Sequence, residues 1–217
     1  NNTAGFSIVT WTGTGSAGTI GHGLGVAPKW LVVKLRSGSQ DWFVNNGMIL
    51  NDYGKYFKWN SNGTAASDTN VFPNTAPTSS VFSVGTDNAV NGNGDTYVAY
   101  VFSEVAGYSK FGSYTGNGSS NGTFIFTGFR PAWIIIKRSD SGSTKNWFLH
   151  DYKREGYNPQ NDYVSVNTNG AETNVTDLDI VSNGFKLRSN GLGHNASGGE
   201  YIYLALAKSP FKYSRAR

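Results

Sequence analysis

Pro28-Lys29-Trp30-Leu31-Val32-Val33-Lys34 returns as Pro131-Ala132-Trp133-Ile134-Ile135-Ile136-Lys137. Each copy is an apolar run that opens just after a proline and closes on a lysine, short enough for a buried strand and too short for a globular helix. Proline at the entrance sets the chain direction without removing a ladder donor from the strand interior. The flanks repeat as well. Upstream, Trp11-Thr12-Gly13-Thr14-Gly15-Ser16 matches Tyr114-Thr115-Gly116-Asn117-Gly118-Ser119; downstream, Asp41-Trp42-Phe43 matches Asn146-Trp147-Phe148. Farther on, Val81 to Val84 pairs with Gly184 to Leu187, and Gly94 to Tyr100 with Gly198 to Leu204. The offset stays between 103 and 105 residues, too long for a solenoid unit of about 20–50 residues and close to the size of one small β domain. The chain therefore reads as a tandem duplication, with halves 1–106 and 107–217. The join, Glu104 to Lys110, is short and contains no proline, so the halves are expected to pack rather than swing.

Within each half the local signals are those of strands. Phe6 to Trp11 and Phe111 to Tyr114 open the copies, and Tyr97 to Phe102 and Tyr201 to Leu206 close them with aromatic and branched residues. Tyr56 to Trp59 and Tyr163 to Val166 show the alternation of a half-solvated strand. Between these runs lie Asn62-Gly63-Thr64, Asn121-Gly122-Thr123 and Asn169-Gly170-Ala171, residue types that enter tight turns at little cost. Six or more strands per half predict an all-β chain of two antiparallel β-sandwich halves, of jelly-roll or lectin-like type.

Composition agrees. Of 217 residues only 15% are charged against about 25% in an average globular chain, and 28 are glycine, which speaks against a helical bundle. Thirteen Phe, 12 Tyr and 6 Trp supply too much apolar surface for a disordered segment. With no cysteine there is neither a disulfide frame nor a thiolate ligand. The formal charge of +4 comes from scattered residues, apart from a closing stretch of Lys208, Lys212, Arg215 and Arg217, so a nucleic-acid partner is not expected. No apolar run approaches the roughly 18–20 residues of a membrane span, and the opening Asn1-Asn2-Thr3 lacks the pattern of a secretory signal. A soluble chain without membrane insertion is expected, and one that can be a fragment of a longer polypeptide.

Candidate chemistry is sparse. Asp177 and Asp179 alternate on an expected strand and could share a face, but glycoside hydrolysis needs two carboxyl groups opposed across a cleft, and solvated rim residues are the simpler reading. His22, His150 and His194 show no metal-type spacing; His22 and His194 sit among glycines and read as surface-loop residues. His150-Asp151 invites a triad, yet no Gly-x-Ser-x-Gly elbow accompanies it. Gly13 to Gly18 formally fits Gly-x-Gly-x-x-Gly, but no βαβ unit surrounds it and the second copy loses the third glycine, as a hairpin tip would. No catalytic residue, metal site or cofactor is expected.

The aromatics carry the functional reading. Sugar rings stack their C–H faces on Trp and Tyr, while their hydroxyls need Asn, Asp or Gln partners. Trp30 and Trp133 fall inside matching apolar runs and read as core anchors, and Trp42 and Trp147 as structural. Tyr56, Trp59, Tyr152 and Tyr157 lie in polar surroundings where the halves diverge, which makes them the candidates for glycan binding or for a subunit interface.

Several of these segments together resemble a domain of bacteriophage tail and tail-fibre proteins. They are Gly21 to Lys29, Gly107 to Gly118, Thr127 to Trp133, Ser182 to Arg188 and the ending Pro210 to Arg217. The resemblance spans nearly the whole chain. It implies a virion location, lectin-like sandwich halves, other virion proteins and host cell-surface polysaccharide as partners, and, by analogy with tail fibres, a homo-oligomer that is trimeric. A phage tail-fibre or receptor-binding module without catalysis is the leading expectation. A capsid-decoration or tail-assembly subunit is the alternative, and a glycan-degrading tail enzyme the third.

Overall fold

A computed structural model describes residues 1–140 and 144–209; Lys212, Arg215, Arg217 and the Pro210–Arg217 motif lie outside the described residues. The sheets are antiparallel, and among the described residues the helical segments are a 3-10 turn at Asn2–Ala4 and three one-turn helices, α1 (Gly47–Leu50), α2 (Asn88–Asn91) and α3 (Tyr152–Glu155). It divides into two compact units, one of residues 1–60 and 65–104, the other of residues 61–64 and 105 onward.

In the first unit, β1 (Phe6–Thr12), β8 (Thr96–Phe102), β3 (Trp30–Leu35), β4 (Phe43–Asn45), β5 (Lys55–Lys58) and β6 (Ala66–Ser67) form one sheet in that order, and β2 (Gly18–Gly21) pairs with β7 (Val81–Val84) in a second. Tyr97, Ala99 and Val101 alternate inward along β8, as period-two patterning dictates. They meet Leu31, Val33 and Leu35 of β3, Phe82 and Val84 of β7, and Ala89 and Val90 of the helix α2 (Asn88–Asn91) in one apolar core. The arrangement is a sandwich.

The second unit repeats that order: β9 (Ser109–Thr115), β16 (Glu200–Ala207), β11 (Pro131–Arg138), β12 (Phe148–Asp151), β13 (Gln160–Ser165), β14 (Thr173–Val181), β15 (Gly184–Leu187) and β10 (Phe124–Phe126). Registers agree too: Trp11 faces Tyr97 across β1 and β8, and Tyr114 faces Tyr201 across β9 and β16. Both pairs stack, at 5.3 and 4.9 Å between ring centroids. The duplication read from the sequence is thus visible strand by strand.

One difference separates the copies. β14 pairs with β13 through Thr173, Asn174 and Leu178 and with β15 from Leu178 to Val181, so eight strands form one continuous, curling sheet. The corresponding stretch of the first unit contains Pro73 and Pro77, which lack the N–H that a ladder needs, and there the sheet splits in two.

Both units lock the loop after the first strand with a buried asparagine. Asn91 donates to Ser16 O (2.7 Å) and Gly85 O (2.9 Å) and accepts from Thr14 N. Asn195 donates to Asn117 Oδ1, Ser119 O and Ser189 O and accepts from Asn117 N. The Gly-x-Gly pair of each loop is needed for this close approach. A Cβ on Gly13 would stand 2.1 Å from Gly92 O, and one on Gly116 2.3 Å from Ala196 O. The motif is a backbone clasp and no phosphate cradle.

Two expectations about tryptophan are corrected. Trp30 is fully buried, but its counterpart Trp133 is only half-buried, although the two keep equivalent ladder partners, Phe102 and Leu206. Trp42 retains 37% exposure while Trp147 has none.

Candidate functional site

The four aromatics singled out in the sequence fall in different settings. Tyr56 on β5 turns inward, its ring 5.3 Å from Phe43 and 6.2 Å from Phe72, and closes the first core. Trp59 is half-buried, and its N–H donates to Trp42 O at 2.8 Å. Tyr152 opens the helix α3 (Tyr152–Glu155) and packs on the second core, with Lys153 and Lys208 ammonium groups 5.2 and 5.0 Å from its ring. Tyr157 alone is widely exposed, at 67%.

The better-formed surface site surrounds Trp42. Continuing the β4–β5 register, Trp42 stands opposite Trp59, on the same side of the sheet. Its indole stacks on Tyr100, at 6.2 Å and 25° between planes, and Tyr100 is paired across strands with the exposed Ile8. Lys34 Nζ lies 6.0 Å from the Trp42 ring and donates to Gln40 O. The backbone beneath is pinned: Trp42 N donates to Asn60 Oδ1, Asn60 Nδ2 donates to Asp41 Oδ1, and Lys58 pairs with Asp41 Oδ2 at 2.7 Å. Those bonds hold the Asp41 carboxyl below its ordinary pKa, the Lys58 contact first and Asn60 second. The result is a pre-positioned aromatic face with a cation beside it.

The second unit contains the same assembly in closed form. Lys137 Nζ donates to the carbonyl of Lys145 and lies 5.8 Å from the Trp147 ring, the counterparts of Gln40 and Trp42. Both side chains are fully buried, and Asn62 O accepts from Lys137 Nζ at 3.0 Å. Exposure therefore distinguishes two copies of one motif. Sequence reasoning missed Trp42 because its match to Trp147 marked it as structural.

The surface-loop reading of His22 and His194 is also corrected. His22, His150 and His194 are buried, at 2%, 0% and 3% exposure. His150 Nε2 lies 3.1 Å from His194 Nε2, and His194 Nδ1 lies 3.5 Å from Asp177 Oδ1, with Phe148 and Tyr163 rings packed around them. Asp177 and Asp179 do not act together: Asp177 points into this cluster, whereas Asp179 pairs with Arg188 at 2.6 Å. Asp151 does not serve His150 as a triad acid; it caps α3 by accepting from Lys153 N. A small surface depression in the first unit is lined by Pro28, Met48, Tyr53, Phe72, Pro73 and Pro77 among others. Its wall groups are engaged, Lys29 with Glu104 and Asn45 with the carbonyls of Tyr53 and Lys55.

A family model described as a domain of unknown function (DUF7483) matches residues 1–210. No curated protein matches the chain. A solved structure described as "Crystal Structure of the STIV MCP" aligns over 93% of this chain and 85% of its own, at 12% identity and a TM-score of 0.25. That score is too low to establish a common fold.

Proposed function

We propose that this chain, which belongs to the DUF7483 family, is a non-catalytic glycan-binding module of a phage virion that recognises host-surface polysaccharide. The observation that carries the reading is the open Trp42 face, stacked on Tyr100 and flanked by Lys34, in a scaffold whose other copy buries the same group. An indole held rigid by its own backbone loses little freedom on binding a sugar ring. Placement in a tail or tail fibre rests on the motif resemblance.

Trp42→Ala is expected to weaken binding to an envelope polysaccharide about tenfold or more, since an aromatic stack contributes about 0.5–1.5 kcal/mol beyond its area burial. The melting temperature should barely move. Binding measured by calorimetry on polysaccharides from a panel of bacterial envelopes tests this; a folded wild-type chain that retains none of them sinks the reading.

A second reading, an assembly subunit, is favoured by the edge strand β10. Phe124 and Phe126 both project outward, 46% and 61% exposed, where the matching register of β2 carries Thr19 and Gly21. Paired exposed aromatics on an edge strand invite association. On this reading Phe124→Thr with Phe126→Thr converts an oligomer into monomer in sedimentation velocity, and an unchanged distribution counts against it.

A further inference from the structure

We propose that His150, His194 and Asp177 form a structural site for one divalent transition-metal ion of the zinc class, in the core of the second unit. The three residues come from β12, from the 191–195 turn and from β14, and they offer one ligand atom each within 4.8 Å of one another. The two imidazole Nε2 atoms are 3.1 Å apart. That is close to the roughly 3.3 Å edge of a tetrahedral site with metal–nitrogen bonds of about 2.0 Å. Two imidazoles and a carboxylate suit zinc, cobalt or iron(II), and not calcium or magnesium, which prefer all-oxygen shells.

The duplication supplies the internal comparison. In the ladder, His150 faces Ile134 and Tyr163 as Asn45 faces Leu31 and Tyr56. His194 N bonds Gly191 O as Val90 N bonds Asp87 O, and Arg188 N bonds Asp177 O as Gly85 N bonds Val71 O. The first unit thus builds the same niche from Asn45, Val71 and Val90, two of them core valines. The fold does not require ionisable groups at these places.

Their burial is unfavourable as it stands. His150 Nδ1 has no hydrogen-bond partner among the described residues, and Asp177 has only the Ser189 hydroxyl and the His194 ring beside it. A cation shared by His150 Nε2, His194 Nε2 and Asp177 needs neutral imidazoles and gives the buried carboxylate a counter-charge.

The test is a titration of the chelator-stripped full chain with cobalt(II), followed by zinc(II). The expected result is one equivalent bound, with visible d–d bands of a low-coordinate site that zinc abolishes, and a melting transition raised by about 10 °C at a hundredfold excess over Kd. The variant His150→Asn/Asp177→Val/His194→Val, which installs the residues of the first unit, should fold and lose both responses. Asp177→Asn, closer in shape, should weaken the metal at least tenfold, and this readout stands even if the triple variant fails to fold. Absence of cobalt bands and of any thermal shift in the wild-type chain overturns the proposal, as does a fully retained response in the triple variant.

Discussion

Replacing Asn195 by alanine is expected to destabilise the second unit by about 3–5 kcal/mol. The side chain is fully buried and makes four hydrogen bonds, so truncation removes the partner of Asn117 N and of the Ser119 and Ser189 carbonyls, while Asn117 Oδ1 keeps Ser119 N. Each buried group left without a partner costs about 1–3 kcal/mol, and relaxation or entering water recovers part of the sum. Asn91→Ala, with three such bonds in the first unit, should cost somewhat less, about 2–3 kcal/mol. Urea unfolding of both variants, followed by tryptophan fluorescence, measures the difference. A loss under about 1 kcal/mol at Asn195 would mean that the loop is held by its glycine backbone bonds alone.

Stability of the second unit should rise with pH between about 8 and 9.5. Burial lowers the Lys137 pKa from 10.5 to about 8 in the folded protein, whereas the unfolded chain keeps the ordinary value. Within that window the unfolded state binds the extra proton, so unfolding becomes less favourable as pH increases, by up to about 1.4 kcal/mol per pH unit. Below pH 8 both states carry the ammonium and the slope vanishes. Above pH 10 the trend reverses, because burial raises Tyr114 and Tyr201 in the folded state, and tyrosines that ionise more readily when unfolded withdraw stability. Chemical denaturation at pH 7.5, 8.5 and 9.5 tests the rise. Lys137→Met should flatten it, and an identical slope in that variant would assign the effect to another group.

Much of the fold was legible from local chemistry. The apolar runs after Pro28 and Pro131, the alternation at Tyr97 to Phe102 and the Gly-x-Gly loops appear as strands and turns where they were expected, since period and turn preference act over a few residues. The split of the first sheet was also written locally, in Pro73 and Pro77, although its meaning emerges only beside the unbroken β14. The candidate sites were less legible. Tyr56 looked like a surface aromatic because its neighbours are polar, yet alternation along β5 sends it to the core.

By itself the sequence determined a β chain, its duplication and the places of its longer strands, because strand periodicity acts over adjacent residues and the copies can be matched along the chain, whereas the short strands at Gly18–Gly21, Ala66–Ser67 and Phe124–Phe126 carry no such signal. Only the tertiary structure decided that Trp42 remains open while Trp147 is buried. It alone brought Asp177 and His194 to His150 from separate elements. Strand patterning says which side of a sheet a residue takes; what covers that side depends on segments distant in sequence, and no local pattern encodes it.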